Sequence, residues 1–168
     1  MDRIDRICAK EIECAGAKLA RYAGPGTTTD AELDAVAAGL GVELPRDYRR
    51  YVRRLGIRRG DAELVLARMS SLLLVTTWDE IFARMIGGHP ALSRAIRTRG
   101  LLPLGDDYSG RFWICLDLAH RRPDGDCPVV ELELEGDFDK IAANLEPHLQ
   151  RFGDTFGEGA EAVIARST

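Results

Sequence analysis

The segment Leu101–Glu135, LLPLGDDYSGRFWICLDLAHRRPDGDCPVVELELE, decides the fold. Two apolar runs in it, Phe112–Leu118 and Val129–Glu135, read as strands, each closed by acidic residues and joined by tight Pro/Gly turns. Short connections between consecutive strands favour antiparallel pairing, because a parallel crossover needs a longer return path. In the second run Glu131, Glu133 and Glu135 project to one side and Val130, Leu132 and Leu134 to the other. Carboxylates about 7 Å apart along a strand repel one another, so that side is either wet or meets cations. The functional reading is a docking surface for arginine or lysine side chains. The plain alternative is the solvent side of a half-buried sheet. No nucleophile, metal cage or phosphate cradle sits in the segment, so it is built to bind rather than to transform.

Upstream, the chain reads mainly as helices. Ile4, Cys8, Ile12, Ala15, Leu19 and Tyr22 recur at helical spacing, which predicts an amphipathic helix before the break at Gly24-Pro25-Gly26. Thr29 with Glu32 three residues on forms a capping box for a second helix striped by Leu33, Val36, Ala37 and Leu40. Pro45 suits the first turn of a third, in which Tyr48, Tyr51, Val52 and Leu55 lie opposite Arg46, Arg49, Arg50, Arg53 and Arg54. Asp61–Ala67 and Ser71–Thr76 read as further strands. Thr77-Trp78-Asp79-Glu80 opens another helix, Gly87-Gly88-His89-Pro90 interrupts it, and a short helix runs from about Ala91 to Arg99. Phe138, Ile141, Ala142, Leu145, Leu149 and Phe152 predict one closing helix, bent by Pro147. The remaining tail is small and polar, with at most one frayed turn expected. Helices, adjacent strands and a closing helix are an α+β order.

The chain has 168 residues, 45% hydrophobic and 30% charged, the make-up of one globular domain. No apolar run approaches the roughly 20 residues of a membrane span, and charges at Asp2 and Arg3 argue against a signal peptide. Cys8, Cys14, Cys115 and Cys127 form no CxxC pair and have no histidine at zinc spacing, so reduced thiols in the cytoplasm are expected. The net charge is uneven. Residues 1–100 carry 17 basic and 13 acidic residues, a net of +4, whereas residues 101–168 carry 6 and 14, a net of −8. Such an acidic half can steer a basic partner, or simply keep the protein in solution.

Other constellations are weaker. Asp106 and Asp107, in GDDYSG, could serve as paired carboxylates, but flanking glycines describe a hairpin connection equally well. Asp117, Asp124 and Asp126 show no recognisable ligand order. His89, His120 and His148 are scattered, and no GxSxG, GxGxxG or P-loop pattern occurs. No catalytic residue, cofactor or metal is therefore assigned, and no enzyme is expected. The arginines of residues 46–54 could contact phosphates. Overall acidity, Asp47 and the lack of a nearby aromatic platform favour a solvated face, so nucleic acid is not the expected partner.

Taken in order, several pieces resemble the SUKH superfamily. They are the helix Thr29–Leu40 followed by Gly41-Val42-Glu43-Leu44-Pro45-Arg46-Asp47-Tyr48, then Leu102-Pro103-Leu104-Gly105, Gly110 and Ile114–Leu118. Pro128-Val129-Val130 and Ile141–Leu149 complete the set, which spans about residues 29–152. The resemblance implies an α+β fold with an antiparallel or mixed sheet flanked by helices, here with an extra N-terminal helix. It divides the chain into an N-terminal helix and linker (1–26), a SUKH-like domain (27–153) and a C-terminal tail (154–168). It further implies a cytoplasmic bacterial immunity protein that neutralises a cognate polymorphic toxin by binding, often a nuclease or deaminase. Relatives include a yeast cell-wall synthesis regulator, so a regulatory or scaffold module is the alternative. Neither membrane nor cofactor enters either reading. For a basic toxin, Glu131, Glu133 and Glu135 are the expected contacts, with Asp106, Asp107 and Tyr108 on the adjacent loop and Tyr108 as aromatic anchor.

Overall fold

An antiparallel sheet and seven helices are built from residues 1–15, 28–55, 77–106 and 109–167, the part of the chain that the computed structural model describes. Helices α1 (Arg3–Ala15), α2 (Asp30–Leu40), α3 (Arg46–Leu55), α4 (Trp78–Ile86) and α5 (Pro90–Arg99) come first. Strands β1 (Leu101–Asp106), β2 (Phe112–Asp117) and β3 (Val129–Glu133) follow, then α6 (Phe138–Ala143), β4 (Leu149–Gly153) and α7 (Phe156–Ser167). The sheet is a meander in the order β1-β2-β3-β4 with every neighbour antiparallel, so the α+β expectation holds. The expected strands 61–67 and 71–76, and the helical continuation to Tyr22, lie outside the described residues.

Register fixes what each face carries, because residues paired across strands point the same way. Phe112 pairs with Glu133, Ile114 with Glu131 and Leu116 with Val129 on one face. Trp113 pairs with Leu132 and Cys115 with Val130 on the other. Helix α7 covers β3 and β4, while α5 packs against β1 and α6. Val129, Val130, Glu131 and Leu132 are all buried, so β3 is covered on both sides rather than half wet.

The helices start and stop where their end groups are satisfied. Thr29 and Glu32 form the complete reciprocal capping box, and Gly41 ends α2 in the left-handed region at φ 65°. Thr77 accepts from the Glu80 amide at the start of α4, without the return bond. His89 caps α5 with its ring, Nδ1 accepting from Leu92 N–H at 3.2 Å, and its other side meets Asp139 at 3.3 Å. The apolar side of α3 is buried as its periodicity predicts, with Tyr48 and Tyr51 packed on Phe156 at centroid distances of 5.3 and 5.6 Å.

Three expectations are corrected. In α1 the buried positions are Ile4, Ile7, Cys8 and Glu11, whereas Ile12 is 36% exposed. At about 100° per residue Ile12 stands roughly 80° from Ile4, at the edge of the stripe, and Ile7 lies closer to its centre. The predicted closing helix over Phe138–Phe152 stops at Ala143, passes through a 3₁₀ turn at Glu146–His148 and continues as β4. Pro147 removes a donor that a continuous helix needs, and Leu149 and Phe152 are only half-buried in an edge strand. The polar tail is instead α7, twelve residues long, with Phe156, Ala160, Val163 and Ile164 buried. Its glycines permit close approach. A Cβ on Gly159 would stand 2.3 Å from that of Val129, and one on Gly157 2.8 Å from Cδ of Arg3.

Candidate functional site

The glutamate row of β3 meets cations supplied by its own chain. Glu131, buried at the centre of the strand, accepts two hydrogen bonds from Nη1 of Arg166 in the last turn of α7, both 2.8 Å. The Arg166 guanidinium also lies 5.9 Å from the Phe112 ring and 5.5 Å from the Phe152 ring, within cation–π reach. Farther along, Arg111 bonds Glu135 and sits 3.9 Å from Glu133, with its guanidinium 5.1 Å from the Phe112 ring. Three carboxylates and two arginines thus gather on one side of the sheet, with Phe112 within cation–π reach of both arginines.

Exposure divides this row. The Glu131 side chain is 11% exposed, against 42% for Glu133 and 58% for Glu135. Water reaches the outer two carboxylates, while the inner one is reached only past Arg166. Asp106 ends β1 opposite Trp113, at the same end of the sheet but on the other face, where its carboxylate accepts from Gly110 N–H at 3.1 Å. Asp107 and Tyr108 lie outside the described residues. The structure therefore brings Glu131, Glu133 and Glu135 together and sets Asp106 around the edge from them.

Arg111, Phe112, Phe152 and Arg166 belong to the cluster and carry no motif of their own in the sequence. One signal for Arg166 was legible. Phe156, Ala160, Val163 and Ile164 recur at i, i+4, i+7 and i+8, the stripe of a packed helix that would carry its terminal arginine onto the sheet.

A second carboxylate cluster occupies the α5 side of the sheet. Asp117 accepts from Arg99 at 2.9 and 3.3 Å and meets Nδ1 of His120 at 2.9 Å, and Arg99 reaches on to Glu146. Burial alone would raise the Asp117 carboxyl, but the Arg99 bonds and charge, with His120, outweigh it and hold it below its ordinary value. The arginine side of α3 is likewise engaged. Arg49 pairs with Asp34 at 2.6 Å and Asp30 at 3.4 Å, Arg53 with Asp30 at 3.3 Å, and Arg50 with Asp2, Asp5 and Asp47. Burial pushes the thiols of Cys8 and Cys127 up to about 11 and that of Cys115 higher still, which keeps them as poor nucleophiles. No helix among the described residues is long and apolar enough to cross a membrane.

Comparison with known proteins gives one match. The family model described as SMI1 / KNR4 family (SUKH-1) matches residues 27–151, from the start of α2 through most of β4. No curated protein and no solved structure matches the chain significantly.

Proposed function

The chain belongs to the SMI1 / KNR4 family (SUKH-1), and on that premise we propose that it is an immunity protein acting in the cytoplasm. It would bind one cognate toxin and occlude its active site or substrate groove, without catalysis of its own. The family match over residues 27–151 carries this reading, and it supports a protein-binding module of the immunity or regulatory kind.

The acidic row suggests how binding would work. Glu133 at the end of β3 and Glu135 two residues beyond it are solvated carboxylates, bridged by one arginine that also lies over an aromatic ring. A toxin that handles nucleic acid, such as a nuclease or deaminase, presents a basic groove, and an acidic edge accelerates encounter with it. Asp106 adds charge around the same end of the sheet.

The test is co-expression in a tester bacterium of the product encoded beside this gene, with and without the chain. Growth arrest relieved only when both are present is the expected result. A neighbouring product that is harmless, or a toxic one that the chain does not restrain, would turn the reading toward a regulatory or scaffold module.

A further inference from the structure

We infer that Glu131, Phe112 and Phe152 form a guanidinium receptor that Arg166 fills from within the chain and that an arginine of the basic partner takes over on binding. The inference deepens the proposed function and rests on it for the identity of the partner.

The receptor has the parts that recognise a guanidinium rather than a generic cation. Both Glu131 oxygens take one guanidinium nitrogen, Nη1, at 2.8 Å, and rings with centroids 5.9 and 5.5 Å from the guanidinium carbon flank the rest of the group. A lysine ammonium could offer the carboxylate one nitrogen as well, so the two rings make the choice: a flat, weakly hydrated guanidinium packs against both while it bonds Glu131, and a compact, strongly hydrated ammonium does so less well. Glu131 is also the one carboxylate of the row that is sequestered, 11% exposed, so it demands a cation wherever that cation comes from.

The present occupant can be exchanged for another arginine at small cost. Arg166 stands in the final turn of α7, after every buried anchor of that helix (Phe156, Ala160, Val163 and Ile164). Its own side chain is 51% exposed. Water already competes for Arg166, although not for Glu131, so the arginine loses little solvation or packing when it swings out. Exchange of one arginine for another at Glu131 is therefore close to balanced, and the partner's remaining contacts decide it. Arg166 keeps the buried carboxylate paired in the free protein and excludes stray cations until a partner supplies a replacement.

The experiment is an aromatic NMR titration with N-acetyl-arginine-N′-methylamide, against the lysine analogue as control. Arg166→Ala empties the receptor, and Arg166→Met, which retains the aliphatic stem, replaces it should the alanine variant unfold. The expected result is saturable shifts of the Phe112 and Phe152 rings in the emptied variant at millimolar probe. Affinity should be at least tenfold weaker in the wild type and lost when Glu131→Gln is added. Absence of saturable shifts in the emptied variant would overturn the proposal, as would shifts that persist without the Glu131 charge or are matched by the lysine analogue. The probe is small and toxin-free, so failure here leaves the growth test intact, and failure of the growth test leaves this site standing.

Discussion

Asp117 and Glu131 are carboxylates on adjacent strands of one sheet, facing opposite ways, each sequestered and each bonded by an arginine from a helix. Their arginines stand in different surroundings. Arg99 is 20% exposed, is fixed by Asp117 and Glu146 together, and faces an Asp117 side chain that is 4% exposed. Arg166 is 51% exposed and, although it too stands in the last turn of its helix, has Glu131 as its carboxylate partner with no second acid behind it among the described residues. The same pair chemistry therefore yields a lock on one face and an exchangeable contact on the other. What separates them is water around the cation, since the carboxylate is protected in both.

The largest effect expected from breaking this comparison is at Arg99. Arg99→Ala strands a buried carboxylate and should cost about 3 kcal/mol of unfolding free energy at neutral pH, read by urea denaturation. The sign with pH follows from Asp117. Its folded-state pKa lies below the ordinary 3.8, so its contribution is present above that value and is lost as pH falls through the lower, folded one. The deficit of Arg99→Ala should accordingly shrink in acid; a deficit constant from pH 7 to pH 3 would show that Arg99 acts through packing instead. Next comes Arg166→Ala, which opens to water the one path to Glu131 and so should cost less, about 1 to 2 kcal/mol in the same assay. A loss as large as that at Arg99 would erase the distinction and make Arg166 a second lock.

How much of this could be read from the sequence depended on what each residue packs against. The β2–β3 pairing was legible because an apolar run and an alternating one are joined by a short Pro/Gly connection, and the buried side of α3 was legible because Tyr48, Tyr51, Val52 and Leu55 share one stripe. Beyond Ala143 the pattern misled. Leu145, Leu149 and Phe152 mimic a helical face, yet β4 is an edge strand whose exposed Gln150 and Arg151 erase the alternation that marks a strand. Helix α7 was hidden by Gly157 and Gly159, poor helix formers; at Gly159 the Val129 side chain leaves no room for a Cβ, and at Gly157 the stem of Arg3 would have to shift.

That second miss propagated to the site. The alternation of β3 indicates that its glutamates share a face, and electrostatics require water or cations there. Which of the two applies to Glu131 depends on Arg166, 35 residues away on a helix that reads as a polar tail. The row of carboxylates was legible in the sequence, whereas its division into a covered and an open end belongs to tertiary packing. Asp107 and Tyr108 lie outside the described residues and stay expectations from sequence.

The open end sharpens the comparison with the smallest stability effect and the largest functional one. Glu133→Lys with Glu135→Lys removes solvated charges that, among the described residues, pair only with Arg111, and should alter unfolding free energy by no more than about 1 kcal/mol. The most direct test of the account is the association rate of this double variant with the purified product of the neighbouring gene, measured by stopped flow across a range of salt. The account predicts association at least tenfold slower than wild type at low salt, with the difference fading as salt rises. An unchanged rate at every salt concentration, from a folded variant, would contradict it and move the docking surface elsewhere on the molecule.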